Sequence, residues 1–472
     1  MSLSSALNTA QSILSNTSTQ TSIVSKNISN ASNPHYARRA AELATNGWGA
    51  QVVNISRSAN DLLFKDNIAS IGAASGQGAL LDGIDQLRAL LGGNDYETAP
   101  STLISNFRDA LQLFASKPND VSAARSALAD AGTLADGIRE TSVDVQKLRL
   151  ETDKEISRQV GELNSLLSQF EKANNDVKQG TQAGEDVSDA LDQRDRLLGD
   201  ISSIIGVSVV TRKNNDIALY TKDGATLFET IPRAVTFEPT SGFDATIAGN
   251  PVLVDGVAVN VGTGGATSAQ GSLGGLLQVR DSVAPTYQAQ LDEMARGLVT
   301  MFAEGDPASE PGLFTWGDDA LITGAPTPGI AMSLQVDQAF VDNPLKLRDG
   351  DSVVVNPDGN GGFSALLESF VTRFDEPLAF DETAQAGTNV SIMTLAANSV
   401  GWMETLRQQA DQAAETKNAS YFRSSEALSA SQGVNLDEEM SKLLELEQSY
   451  KASSRLIATI DEMLNTLLAS VR

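Results

Sequence analysis

Seam positions recur through the first thirty residues at alternating intervals of four and three: Leu3, Leu7, Ala10, Leu14, Thr17, Thr21, Val24 and Ile28. This rhythm keeps one stripe on one face of an α-helix and predicts a coiled-coil seam. Off the stripe the segment is polar. From Ser2 to Asn33, 21 of 32 residues are Ser, Thr, Asn or Gln, whose side chains compete for backbone hydrogen bonds and make mediocre helix formers. Such a helix does not offset its own ordering entropy, so both chain ends are expected to be disordered in the soluble monomer and to fold on assembly, when neighbouring subunits supply burial. It should stop near Asn33-Pro34, because the residue before proline is pushed out of the α region.

The other end repeats the pattern with Leu436, Leu443, Leu446, Tyr450, Ser453, Ile457, Ile460, Leu464, Leu467 and Val471, where Glu439 and Ser453 are the polar interruptions. Asp437, Glu438 and Glu439 crowd its first turn, where the helix dipole favours negative charge. Antiparallel pairing by equal counting sets Leu3 near Leu467 and Ile28 opposite Leu443, over about 38 Å at 1.5 Å per residue. The predicted assembly seam is therefore Leu3, Leu7, Leu14, Val24 and Ile28 against Leu443, Leu446, Tyr450, Ile457, Ile460, Leu464 and Leu467. Just beyond it, Arg38 and Arg39 are expected to meet Asp437, Glu438 and Glu439, within one subunit or across a contact. Exposed pairs contribute only about 0 to 1 kcal/mol each, so their expected role is register more than stability.

Between the ends, residues 61–91 and 100–205 are helical by period, with Ile156, Val160, Leu163, Leu167 and Phe170 on one seam. Gly206 ends that pattern. Residues 207–271 alternate short β-branched runs with turn signals and read as a small β insertion. Helix returns from about Leu273 to Phe302, and residues 306–390, with Pro and Gly clusters around Ser352-Val-Val-Val, read as an irregular or β-rich insertion. From Ile392 the chain is helical again. The expected fold is mainly α with inserted β, elongated and nested. Residues 1–60 and 431–472 form a terminal coiled-coil assembly domain, and 61–206 with 272–430 a helical rod-like domain, interrupted by 207–271 and 306–390.

Composition narrows function by exclusion. With 34 Lys plus Arg against 60 Asp plus Glu, the 472-residue chain carries a net charge of −26. It therefore repels phosphate backbones and anionic lipid. Aromatic residues are 5%, so small and mid-sized apolar side chains do most of the packing, which suits helical bundles. Cysteine is absent and His35 is the single histidine, which removes thiol chemistry, thiolate metal sites and nearly every Ser/His/Asp arrangement. No 18 apolar residues run together, so no membrane-spanning helix is expected. The first 25 residues carry no charge and no unbroken apolar stretch, so any export is expected to proceed without a cleaved signal peptide. No Gly-Lys dipeptide supports a P-loop. The turn Gly262-Thr-Gly-Gly-Ala-Thr puts Thr267 where a dinucleotide fingerprint needs Gly or Ala, and Asp358-Gly-Asn-Gly-Gly-Phe fails as a calcium loop at Phe363. No catalytic, cofactor-binding or metal-ligating residue is assigned.

Two separated motifs carry a resemblance. The segment from Lys26 through Asn27-Ile-Ser-Asn-Ala-Ser-Asn-Pro-His-Tyr36 to Arg38 resembles the N-terminal signature of the bacterial flagellar rod, hook and hook-associated proteins, Asn-Ile-Ala-Asn-x-x-Thr-Pro-Gly-Tyr. The run Gly433-Val-Asn-Leu-Asp-Glu-Glu-Met to Tyr450, continued by Ser454-Arg-Leu-Ile-Ala-Thr-Ile-Asp-Glu-Met463, is similar to that family's closing segment. Leu191-Asp-Gln-Arg-Asp-Arg-Leu-Leu198 and Gly271-Ser-Leu-Gly-Gly-Leu-Leu-Gln-Val-Arg-Asp281 resemble the hook-associated members at the junction of hook and filament. His35 stands where the pattern carries glycine, the residue that tolerates left-handed backbone. The resemblance implies a non-enzymatic structural protein, exported through the flagellar type III apparatus and polymerised outside the cell. Implied partners are further copies of the chain, the hook protein, a second junction protein and an export chaperone at the C-terminal helix. The competing reading is a secreted surface protein whose insertions bind or cleave glycans.

Overall fold

The computed structural model describes residues 3–46, 49–93, 95–305, 310–317 and 326–470. Helices dominate, as the period predicts. In chain order the first elements are α1 (Leu3–Ser29), a hairpin of β1 (Arg39–Asn46) and β2 (Gly49–Arg57), α2 (Asp61–Ala89), α3 (Pro100–Ser116), α4 (Val121–Ala183) and α5 (Ser188–Ile204). A meander of β3 (Val207–Thr211), β4 (Ile217–Thr221) and β5 (Thr226–Phe228) follows, then β6 (Val235–Thr236) and the short pair β7 (Leu253–Val254) and β8 (Val257–Ala258). A stretch with a π turn at Val279–Val283 joins α6 (Ser272–Gln278) to α7 (Ala284–Met301). Next come β9 (Phe314–Trp316), β10 (Leu334–Val336), α8 (Gln338–Asp342), α9 (Lys346–Asp349), α10 (Ala365–Arg373), β11 (Leu378–Ala379) and β12 (Asn389–Val390), and the chain closes with α11 (Ile392–Gln432) and α12 (Leu436–Ser470). No helix among the described residues is long and apolar enough to cross a membrane.

Two compact units form. The end unit holds residues 1–72, 162–235 and 417–472, and the middle unit 73–161 and 236–416. Three of the four limits fall inside α2, α4 and α11 and the fourth inside β6, whereas the sequence places domain limits where the pattern changes type. A helix keeps its period when it leaves one core for another, so periodicity cannot mark that point.

In the end unit, Leu163, Leu167, Phe170 and Val177 are buried along α4, and Phe170 meets Phe228 of β5 edge-on at 5.1 Å. Asn174 ties the meander down by donating to Asp216 at 2.7 Å and accepting from the Ile217 amide at 3.2 Å. In the middle unit, Phe107, Phe302, Phe314, Phe370 and Phe374 cluster, with Phe302 tilted against Phe107 and Phe370 and the other pairs edge to face, so five of the 15 phenylalanines share one core. Buried carboxylates on α7 and just beyond its end hold loops of the segment after residue 310. Asp292 accepts from the Gly329 and Ala331 amides at 2.9 and 3.0 Å, Glu293 from Asp381 at 2.9 Å, and Glu304 from Val353 at 2.7 Å. The Ser352-Val-Val-Val run forms no strand. The Val353 amide is taken by Glu304 and the Val355 amide by the Asp349 carbonyl at 2.8 Å, and these local bonds override the β propensity of three valines.

Candidate assembly site at the chain ends

After α1 the chain turns at Asn33-Pro34. The Asn33 side chain accepts from the His35 amide at 3.1 Å, and its carbonyl accepts from the Tyr36 amide at 3.1 Å. This asparagine-closed turn needs no left-handed residue. His35 accordingly keeps a negative φ, so replacing the family's glycine carries no backbone strain.

The turn returns Tyr36, Arg38 and Arg39 to the end of α1, where Asn27 is fully buried. Its carboxamide nitrogen donates to the Arg39 carbonyl at 2.9 Å and to Glu439 Oε2 at 3.0 Å. Its oxygen accepts from the Tyr36 hydroxyl at 2.8 Å and the Arg39 amide at 3.1 Å. All four bonding positions of the amide are thus filled. Burial raises the Tyr36 hydroxyl to about 12, with Arg39 opposing, so it remains a donor. Glu439, 1% exposed, also accepts from Arg38 Nε at 2.7 Å, and the Arg38 amide donates to the Gln432 carbonyl at 2.7 Å. Two motifs more than 400 positions apart therefore share one buried hydrogen-bonded cluster.

The two arginines part company. Arg38 reaches Glu439 and, at 3.9 Å, Glu438. Asp437 is exposed, and its amide donates to Asn435 Oδ1 at 3.0 Å. Arg39, expected at the same triplet, instead lies buried against Asp189 at 2.6 Å and Asp192 at 3.0 Å on α5. Successive residues entering a strand point to opposite faces, so neighbouring arginines cannot serve one helix. Arg57 stands opposite Arg39 in the hairpin register and reaches Asp192 at 2.7 Å and Asp195 at 2.6 Å. Two like charges facing each other across strands would repel. The stripe Asp189, Asp192, Asp195, spaced three apart on one helix face, offsets that repulsion. Burial opposes charge on Arg39, but its bonds to Asp189 and Asp192 outweigh this and raise its pKa. The same Arg39 bond holds Asp189 below the usual carboxylate range. Burial pushes Asp195 up despite Arg57, and lowers neighbouring Arg194 to about 10.

Helices α1 and α12 pack together. The Asn27–Glu439 bond joins the end of α1 to the start of α12, so contact along their lengths requires an antiparallel course. Buried positions of α12 recur every seven residues at Glu439, Leu446, Ser453 and Ile460, and those of α1 include Ala10, Thr17 and Val24, with Asn16 and Ile23. Of the predicted seam, Val24, Leu446 and Ile460 are buried, whereas Leu7, Leu14, Ile28, Leu443, Ile457 and Leu464 are half-buried. Tyr450 and Leu467 are exposed, at 52% and 55%. The Leu3 side chain lies outside the described residues.

The hairpin was not expected from the sequence, which assigns residues 1–60 wholly to a coiled coil. It lies against α1, where Ser12 and Asn16 donate to the Ala50 carbonyl and Asn16 accepts from the Val52 amide at 3.0 Å. A signal was present. Asn46-Gly47 is the strongest short-range hairpin dipeptide, and the acidic stripe of α5 is legible at its spacing. Among the described residues no three acidic or histidine side chains group to hold a metal.

The sequence model described as "Flagellar hook-associated protein FlgK helical domain" matches residues 84–305. That of "Flagellar basal body rod FlgEFG protein C-terminal" matches 425–470. Together they cover more than half of the chain. Flagellar hook-associated protein 1 of Bacillus subtilis is 21% identical over 98% of this chain and 97% of its own length. Its namesake from Escherichia coli is 22% identical over 99% and 100%. The flagellar hook junction protein FlgK from Burkholderia pseudomallei aligns structurally with a TM-score of 0.43 and 22% identity, covering 54% of this chain and 47% of that one. The chain belongs to the flagellar hook-associated protein 1 family and is a structural component of the bacterial flagellum that assembles with other flagellar proteins.

Proposed function

We propose that the chain polymerises between hook and filament and connects them, with its paired ends as the assembly element. One observation carries this reading: the cluster of Asn27, Tyr36, Arg38 and Glu439, which fixes one chain end against the other. With α1 along one stripe, α12 still exposes Met440, Leu444, Tyr450, Leu456, Met463 and Leu467. Exposed apolar area of that extent marks an interaction surface. It suits packing against further copies, the hook protein and a second junction protein, and before export a chaperone that covers the same helix in the cytoplasm. Export is proposed to use the flagellar type III route without a cleaved signal peptide. Electron microscopy of cells lacking the gene is the test. Intact hooks without attached filaments are expected, restored by the wild-type chain and not by one truncated after residue 430. Normally attached filaments in the deletion strain would refute the proposal.

A further inference from the structure

The middle unit carries a groove of about 560 Å³ along α11, within the roughly 300–1,000 Å³ of small-molecule sites. Its lining runs from Ala397 to Gln409, about 18 Å at the helical rise, and the 385–387 loop stands beside it. Asn398 holds that loop by donating to the Ala386 carbonyl at 2.8 Å. The Trp402 indole lies half-buried in the groove. A side chain on Gly401, which also lines the groove, would meet nothing within 4 Å, so the groove is open at that position.

The polar lining is neutral. Gln385, Thr405 and Gln409 are exposed, and their side chains, like the Trp402 N–H, form no hydrogen bond to the described residues. No charged residue lines the groove. These facts discriminate between occupants. An apolar helix laid here would strand these donors and acceptors, at about 1–3 kcal/mol for each one buried unpaired. An anionic polymer would find no cation in the groove on a chain of net charge −26. A neutral polyhydroxylated chain meets neither penalty. Its hydroxyls pair with carboxamides and the Thr405 hydroxyl, and the C–H face of a ring rests on the indole, which offers an apolar body with a polar tip.

We propose that this groove is a binding site for neutral oligosaccharide. It differs from the glycan site of the competing reading, which lies on the insertions, because its main wall is the long helix α11 and only the 385–387 loop comes from the segment before it. A groove this open covers part of each ring, so dissociation constants of about 0.1–1 mM are expected.

The full-length chain titrated with maltotriose, cellotriose and a trimer of N-acetylglucosamine, followed by calorimetry and tryptophan fluorescence, is the test. At least one neutral trimer should bind saturably and perturb Trp402 emission. Gln385→Ala and Gln409→Ala should each weaken binding by about fivefold to tenfold with unchanged thermal unfolding. Trp402→Ala should abolish it, and Trp402→Phe should retain a part. No binding of any neutral trimer up to about 10 mM, undiminished binding by a folded Trp402→Ala chain, or preference for a trigalacturonate probe would each overturn the proposal.

Discussion

Replacing Asn27 by alanine should free the two chain ends from each other while leaving the middle unit intact. The substitution deletes four hydrogen bonds at a residue with no solvent exposure. Three of the partners are neutral, and the fourth, Glu439, keeps Arg38. The Tyr36 hydroxyl and the Arg39 amide are left as donors without that acceptor, and each stranded buried group costs about 1–3 kcal/mol. Partial entry of water lowers the sum, so about 3–5 kcal/mol is expected. Asn27→Asp should be worse. It keeps both acceptor bonds but exchanges a donor 3.0 Å from Glu439 for a second carboxylate, adding like-charge repulsion in a dry site.

A single melting curve is a poor readout for a chain of two compact units, so amide exchange resolved by peptide is the assay. Protection in 3–29 and 436–470 should fall by about 150-fold to 5,000-fold, following exp(ΔΔG/RT), while 100–116 in the phenylalanine core keeps its protection. Equal loss across both units would show that the cluster does not act locally. Unchanged protection in Asn27→Ala, or no protection of α1 in the wild-type chain, would show that the cluster does not hold the ends together in the free chain.

The arginines should behave as separate devices: Arg38→Glu should weaken polymerisation and be partly rescued by Glu439→Lys, whereas Arg39→Glu should be rescued by Asp192→Lys and not by changes in the triplet. Light scattering of assembling chains checks both, and interchangeable rescue would refute the assignment. Burial raises Asp292 from 3.8 to about 6, so its contribution is fully present below pH 4 and lost as pH rises through 6. The stability difference between wild type and Asp292→Asn should therefore fall by up to about 3 kcal/mol across that window, read by urea unfolding of the middle unit; a flat or rising difference would refute it. Gly275→Ala should destabilise the middle unit by about 1–3 kcal/mol, because its new Cβ would lie 2.4 Å from the Gly76 carbonyl oxygen and 2.9 Å from Ala79. Amide exchange resolved by peptide in the middle unit that is indistinguishable from wild type would show that the backbone yields there.

Helix types were legible because burial imposes period, and α12 begins at Leu436 with its acidic first turn where the pattern puts it. The internal breaks of 100–205 were not. Pro118-Asn-Asp120 and Gly184-Glu-Asp186 interrupt the chain between α3, α4 and α5, yet the 3.6-residue rhythm resumes on either side. The hairpin hid because residues 1–60 are assigned whole to a coiled coil, although the seam ends at Ile28 and the polar stretch at Asn33, before β1 begins at Arg39. Arg39 misled for a geometric reason. Its partner is decided by strand alternation, which becomes visible only once β1 is recognised. Residues 1–60 hold four cations, Lys26, Arg38, Arg39 and Arg57, against the single anion Glu42, but Arg39 and Arg57 are directed at α5, and Lys26 also lies 3.5 Å from Asp189.

The polar residues of the seam have a physical role that hydrophobic periodicity alone would miss. Of the four buried heptad positions of α12, Glu439 and Ser453 are polar, and α1 buries Asn16, Thr17 and Asn27. A helix pair built only of leucines could slide by one heptad and still bury similar area. A buried carboxylate that requires Asn27 and Arg38 cannot, because a slip of seven residues would leave it uncompensated, at about 3–5 kcal/mol. Polar positions in such a seam therefore select register at some cost in stability. Asn16 performs the same service toward the hairpin, where its amide bonds both a carbonyl and an N–H of β2. Register fixed in this way sets which residues of α12 face outward. Replacing Glu439 by leucine removes the acceptor of Asn27 and the partner of Arg38, so it should lower amide protection of the ends and make assembly less regular, seen as heterogeneous polymers by electron microscopy. Uniform polymers formed by Glu439→Leu would show that apolar packing alone sets the alignment.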